Sequence, residues 1–375
     1  MSQKRILFLS GTRADFGKLK SLIEITRNSD LFDVHIFATG MHLQQKYGYT
    51  VNEIIKCGYK NIFKYINHTS EKTMDLTLAK TIEGLSNYVR EFNPDLIIVH
   101  GDRIEALAGA IVGSLNNILV SHIEGGEVSG TIDELIRHSV SKMSHTHFVS
   151  NSKANERLIQ MGESKKTIFE IGSPDVDVMF SDNLPSINET KNRYDITFKK
   201  FAVLMFHPIT TEHDKMFEYA NNIVEAVLSS NQNYIMIYPN NDLGSRDILK
   251  AFDRLKENKR FKIFPSIRFE CFLVLLKNAQ FIIGNSSAGI REAPYYGMPT
   301  INIGSRQNNR SLSTDIINCG YNIVEISDAI IKSDNLELEP IKAYGQGKSD
   351  KLFLEVLSSE KFWKISKQKL FNDLI

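Results

Sequence analysis

The sequence predicts an α/β protein made of two Rossmann-like, doubly wound domains facing a central cleft. Short, nearly continuous apolar runs alternate with longer segments of helical period almost from end to end, the pattern of parallel strands covered on both faces by helices. The alternation lapses once, over the polar stretch SDNLPSINETKNRYDITFKK (181–200), and then restarts. A length of 375 residues also suits two domains, at roughly 150 residues each.

In the first domain, 1–180, strands are read at ILFLS (6–10), DVHIFA (33–38), DLIIVH (95–100), NILVSHI (117–123), THFVS (146–150) and IFEIG (168–172). Each is a buried-strand run bounded by helix-period sequence, with helices at 16–27, 78–92, 103–115, 132–143 and 152–161. Residues 181–200 read as a linker with a small helix. The second domain, 181–349, repeats the pattern with FAVLMF (201–206), YIMIY (234–238), FKIF (261–264), FIIG (281–284) and TINI (300–303). Its helices are expected at 213–229, 245–256, 268–277 and 287–296. The last stretch, 350–375, is amphipathic through 373 and predicts a helix that packs back on the first domain. Open α/β sheets bind ligands at the C-terminal ends of their strands, so two such domains share one cleft.

Composition removes several function classes. The 45 basic and 44 acidic residues give a net charge of +1, which leaves no electrostatic case for nucleic acid or a membrane surface. The apolar run in MSQKRILFLSGTR is too short for a signal-peptide core, and no stretch approaches membrane-spanning length. Three scattered cysteines, Cys57, Cys271 and Cys319, suggest neither a disulfide framework nor a zinc cluster and point to the cytoplasm. HExxH, CxxC and Asp-rich metal loops are absent, so no metal or other cofactor is expected. The missing GxSxG elbow argues against a serine hydrolase.

Chemistry-bearing residues cluster just after predicted strands. HIEGGEVSGTID (122–133) sets Glu124, Glu127 and Asp133 near His122 among three glycines, and HGDR (100–103) adds Asp102. Glycine lets backbone approach a ligand, and carboxylates near apolar walls can transfer protons; by itself the stretch reads equally as a solvated acidic turn. GTRADFGK (11–18) opens a helix whose free N–H groups suit an anion, with Arg13 as a phosphate fork or a structural partner. It is neither a Walker A loop nor GxGxxG.

FIIGNSSAGIREAP (281–294) repeats that idea, with Ser286, Ser287 and Ala288 where phosphate oxygens fit and Glu292 placed to accept from ribose hydroxyls. An N-cap is sufficient reason for Ser286. His207 ends a buried strand, where a lone histidine is more often structural but a phosphate contact is open to it. PNNDLGS (239–245), with Asn240, suits a ligand-lining turn. SRQNNR (305–310) supplies Arg306 and Arg310, or is a solvated basic loop. Together these describe a diphosphate and nucleoside site in the second domain and carboxylates in the first, as a nucleotide-sugar enzyme requires.

GTRADFGK, HGDRIEALA, HIEGGEVSGTIDELIRH, GNSSAGIREAP and INIGSRQNNR together resemble the hydrolysing UDP-N-acetylglucosamine 2-epimerases of bacterial sialic acid biosynthesis, from residue 6 to about 325. Arg13-Ala14-Asp15 stands where non-hydrolysing relatives tend to carry a proline-glutamate pair, which favours the hydrolysing branch. The resemblance implies a fold like the B-type glycosyltransferases (GT-B), a homodimer, and a UDP-sugar substrate. It implies anti elimination of UDP to a glycal, which water converts to N-acetylmannosamine. Carried over by position, the catalytic carboxylates are Asp102 and Glu124 as the proton-transfer pair and Asp133 as stabiliser or water-positioning group. Asp177, in GSPDVD (172–177), is a fourth candidate. Arg13, His207, Ser286, Ser287 and Glu292 match the family's UDP contacts. Asn240, Ala288 and Arg310 join them as expected binding residues, with Lys18, Glu127 and His138 secondary.

No motif reads C4 or C6 of the sugar, so a UDP-2,4-diacetamido-trideoxy sugar of legionaminic acid synthesis is an alternative substrate. A non-hydrolysing epimerase, a glycosyltransferase and a catalytically silent nucleotide-sugar sensor are the competing readings.

Overall fold

The structure, a computed structural model, describes residues 3–68, 73–129, 132–307, 315–334 and 336–373. It divides into two compact units: Met1–Val128 with Asp133–Ser181 and Tyr344–Ile375, and Asp182–Ala343 with Ser129–Ile132.

The first unit is built on strands β1 (Lys4–Ser10), β2 (Phe32–Ala38), β3 (Ile62–Lys64), β4 (Leu96–His100), β5 (Leu119–Ile123), β6 (Thr146–Val149) and β7 (Ile168–Glu170). They form one parallel sheet in the order β3-β2-β1-β4-β5-β6-β7. Ile6, Leu7, Phe8, Ile97 and Ile98 have no exposed surface, which is why these strands read as continuous apolar runs. Chain order reverses between β1 and β4, the switch point where doubly wound sheets open a ligand crevice. The loop after β1 carries Gly11–Arg13, and the loop after β4 carries Gly101–Arg103.

The expected C-terminal helix over 350–373 is only partly present. Helices run over Ser349–Ser358 and Glu360–Trp363, and 364–373 has no helix. Phe353, Leu357 and Phe362 are buried in the core that also holds Phe8 and Phe148, with Phe148 and Phe353 rings 4.7 Å apart. Beyond Trp363, side-chain anchors hold the chain instead of helical hydrogen bonds. The Lys369 ammonium donates to the carbonyls of Ser141, Lys142 and Ser144 at 3.1, 2.8 and 2.7 Å, capping the helix Ile132–Met143.

Glu163 gathers Lys369 at 2.6 Å, Lys142 at 2.9 Å and the His147 ring at 3.0 Å. Burial pushes its carboxyl up, but His147 and Lys369 outweigh that and hold it down at about 2. A depressed carboxylate stabilises the fold above its unfolded value and loses that contribution as pH falls through its folded value. Glu163→Gln is therefore expected to melt several degrees below wild type at pH 7. The gap should close as pH falls from about 4.5 towards about 2. Thermal melts across that range check it, and a gap independent of pH would refute the assignment.

The second unit has strands β8 (Ala202–Met205), β9 (Tyr234–Ile237), β10 (Phe261–Phe264), β11 (Ile282–Gly284), β12 (Thr300–Ile303) and β13 (Ile317–Cys319). Their parallel order is β10-β9-β8-β11-β12-β13, with the switch point between β8 and β11. The linker contains a helix, Ile187–Arg193, started by a capping box of Ser186 and Glu189. The expected helix 287–296 is broken into Ala288–Arg291 and a 3-10 turn, Ala293–Tyr296. Pro294 has no N–H to continue the α-helical ladder. Strands β3 and β13, and helices Val51–Lys56, Pro174–Met179 and Ile323–Ser333, were not anticipated from the sequence.

Candidate active site

In the first unit the site begins with sheet register. His100 lies opposite Ile123, and the Gly101 N–H donates to the Ile123 carbonyl at 3.0 Å, so the segments leaving β4 and β5 emerge side by side. Glu124 is the first residue past β5. Its φ of 65° is left-handed, at a cost of about 1–3 kcal/mol for a residue with a side chain. The conformation is tied at both ends: its N–H donates to the Phe148 carbonyl at 2.9 Å, and its carbonyl accepts from the Arg137 guanidinium at 2.7 Å. Two residues on, Gly126 has φ 75°, and a Cβ there would lie 2.1 Å from the Ala154 carbonyl oxygen. Only glycine fits.

The Glu124 carboxylate is 4% exposed. One oxygen accepts from Ser173 Oγ at 2.9 Å and lies 4.0 Å from Lys18 Nζ; the other lies 3.4 Å from His100 Nε2. A buried carboxylate needs such cations to stay charged. Lys18 also pairs with Asp175 at 3.1 Å. The far side of the His100 ring meets Asp15 at 3.0 Å, and Asp15 accepts from Ser10 Oγ and the Gly11 N–H, each at 2.9 Å. Burial opposes charge on His100, but Glu124 and Asp15 outweigh it and push the imidazole up to about 9.

Two other buried histidines are neutral. Burial pushes His42 down to about 4, where it bonds Ser10 Oγ and Thr50 Oγ1. Burial also holds His122 well below its ordinary value; its Nε2–H donates to the Gly101 carbonyl at 2.8 Å and steadies the loop that carries Asp102.

Arg137, 2% exposed, unites the two main acids: the guanidinium that holds the Glu124 carbonyl also donates to the Asp102 carboxylate. Asp133 lies one turn earlier on the same helix, half-buried, on the face that four-residue spacing shares with Arg137. The structure therefore gathers Asp102, Glu124 and Lys18, with Asp133 on the adjoining helix face. It does not bring Asp177 to them. That carboxylate accepts from Ser21 Oγ and from the Ser349 and Asp350 N–H groups, capping the helix Ser349–Ser358. Glu127 accepts from Ser150 Oγ, and His138 pairs with Glu134 at 2.9 Å on its own helix. Arg13 opens the first helix, 3.6 Å from Glu53. His100, Asp15, Ser173, Asp175 and Arg137 were not among the sequence candidates. The available signals were the histidine of HGDR ending a buried strand, and the arginine four residues after Asp133.

In the second unit the switch point is fastened by Asn285, 1% exposed. Its side chain accepts from the His207 N–H at 2.6 Å and donates to the His207 carbonyl at 2.8 Å, joining the ends of β8 and β11. Its own carbonyl accepts from Arg306 and Gln307 at 3.2 and 2.8 Å. The approach is close enough that a Cβ at Gly284, with φ 130°, would lie 1.9 Å from the Met205 carbonyl oxygen. His207 Nδ1 accepts from the Asn240 N–H at 3.1 Å, so the neutral ring carries its proton on Nε2 as a donor. Ser286 Oγ accepts from the Ala288 N–H at 3.3 Å, beside Ser287 at the start of the short helix. Glu292, expected well inside that helix, ends it and is buried. Arg310 lies outside the described residues. Among the described residues there is no cluster of three or more His, Cys, Asp or Glu that could hold a metal, and no helix long and apolar enough to cross a membrane.

A family model described as UDP-N-acetylglucosamine 2-epimerase matches residues 24–358. A Neisseria meningitidis serogroup B protein named UDP-N-acetylglucosamine 2-epimerase is 47% identical, across 99% of each chain. The UDP-N,N'-diacetylbacillosamine 2-epimerase (hydrolyzing) of Legionella pneumophila is 33% identical, across 95% of this chain and 96% of its own. Among solved structures, Methanocaldococcus jannaschii UDP-GlcNAc 2-epimerase in complex with UDP-GlcNAc and UDP has a TM-score of 0.80 at 24% identity, covering 94% of this chain and 99% of that one. The α/β, twice doubly wound, GT-B-like fold class expected from the sequence is the one these chains share.

Proposed function

The chain belongs to the UDP-N-acetylglucosamine 2-epimerase family, and from that premise we propose that it is a hydrolysing 2-epimerase, turning UDP-N-acetylglucosamine and water into N-acetylmannosamine and UDP. The observation that carries this reading is Glu124: a buried carboxylate on strained backbone, flanked by His100 and Lys18, and tied to Asp102 through one guanidinium.

In this reading the Glu124 carboxylate takes the proton from C2. The C1–O bond to UDP breaks, its electron pair leaves with UDP, and a C1=C2 double bond forms. Asp102, 21% exposed and in this reading protonated from water, gives that proton to C2 on the opposite face and returns to the carboxylate that Arg137 holds. Water adds at C1 and passes its spare proton to the Asp133 carboxylate, which positions it and steadies the cationic character there. Glu124 and Asp133 then release their protons to solvent. The diphosphate takes Arg13, Ser286, Ser287, Ala288, Arg310 and the Nε2–H of His207. Asn240 fixes the His207 tautomer, and Glu292 accepts from the ribose hydroxyls. The reading includes a homodimer acting in the cytoplasm without metal or organic cofactor, on the path to sialic acid. The relative named as hydrolyzing supports the hydrolytic outcome and makes a UDP-diacetamido sugar the second reading.

Asn285→Ala removes both bonds to His207 and is expected to weaken UDP binding roughly tenfold or more, by calorimetry. An unchanged Kd would take Asn285 out of the site. Proton NMR of the purified protein with UDP-N-acetylglucosamine in D2O, without added metal, tests the reaction. Free UDP with N-acetylmannosamine deuterated at C2 is the expected result. UDP-N-acetylmannosamine without UDP release would make the enzyme non-hydrolysing, and turnover of the 2,4-diacetamido sugar alone would reassign the substrate. Inertness towards both would sink the proposal.

A further inference from the structure

Resting on that reading, we propose that His100, backed by Asp15, is a positioning residue that keeps Glu124 ionised and aimed as the base. The two ring nitrogens each face a carboxylate, Nδ1 at 3.0 Å from Asp15 and Nε2 at 3.4 Å from Glu124. Each ring nitrogen therefore lies within ion-pair distance of an anion in a buried setting, an arrangement that favours the imidazolium over the neutral ring. Asp15 is itself fixed by Ser10 and the Gly11 N–H, so the ring cannot turn away without losing a partner.

His100 is also nearer to Glu124 than Lys18 is. Lys18 stands 4.0 Å away and pairs with Asp175 at 3.1 Å. Around the ring stand Asp15 and Lys18 from the first helix, Asp175 beyond Lys18, and neutral His42 beyond Ser10. His122 of β5 is neutral too, and Arg137 reaches the Glu124 carbonyl rather than its carboxylate. Without His100, three carboxylates (Asp15, Glu124 and Asp175) would share one ammonium from this set. In this proposal His100 acts through Glu124.

The test is the pH profile of kcat for wild type and His100→Gln, with UDP affinity measured beside it. The wild type should keep its activity up to an alkaline limb near 9, where the imidazolium deprotonates. In His100→Gln, kcat at pH 7 should fall by about 10²-fold. Its acid limb should move up by about one pH unit, its limb near 9 should vanish, and UDP affinity should stay within a few-fold. A profile parallel to the wild type and merely scaled down would overturn the role, since a packing defect lowers activity equally at every pH. Where His100→Gln does not fold, Asp15→Asn decides: the alkaline limb should drop below 9, and an unmoved limb overturns the proposal. A wild type inert towards both UDP-sugars refutes the reaction itself, whereas an active wild type with a parallel variant refutes only the part played by His100.

Discussion

Glu124→Gln is expected to lower kcat by about 10³-fold while UDP affinity stays within a few-fold. Glutamine has the same shape and can still accept from Ser173 Oγ, so the fold and the left-handed turn are kept. What it loses is the ability to take a proton and the charge that His100 and Lys18 face. The nucleotide contacts proposed for His207, Ser286 and Glu292 lie in the other unit and are untouched by the change. Steady-state turnover with UDP titration separates the two quantities. Equal loss of both would end the catalytic assignment of Glu124.

Arg137→Met is expected to destabilise the first unit. The guanidinium is 2% exposed and donates to the Asp102 carboxylate and the Glu124 carbonyl, so its removal takes a charged donor from each. Breaking a fully buried ion pair from one side costs about 3–5 kcal/mol. The Asp102 side chain is 21% exposed, so water replaces part of its lost partner and the cost falls below that range, a fall in Tm of several degrees for a unit of this size. Arg137→Lys keeps the charge but not the fork that reaches two acceptors at once. It should recover part of the stability while kcat remains down by about 10²-fold. Thermal unfolding and single-turnover kinetics on both variants check this. A lysine variant with wild-type kcat would show that the bridge between the two acids is dispensable.

Legibility in the sequence followed burial. Strands buried on both faces, such as Ile6–Leu9 and Leu96–Val99, can only be apolar, and they announced the fold. Edge strands β3 and β13 are three residues each and contain no buried residue, so they left no apolar run to detect. Glu124, Asp102 and Asp133 stood out because acids were crowded among glycines. His100 did not, since its meaning depends on Asp15, which arrives from a different strand end. Asp175 and Asp177 sit two apart in one short helix and point to different neighbours, Lys18 and the Ser349 helix start, a distinction composition does not contain.

The tail gives this enzyme a peculiar order of manufacture. A ribosome finishes the whole second unit before it delivers Phe353, Leu357, Phe362 and Lys369. Until then the unit begun first lacks three side chains of its core, and the helix bearing Asp133 and Arg137 ends on carbonyls that have yet to meet their ammonium. Domains generally mature from the N-terminus as they emerge. Here the half that carries the acids is begun first and completed last, and a nascent chain arrested short of residue 369 would carry every proposed catalytic carboxylate on a scaffold still missing its closing piece.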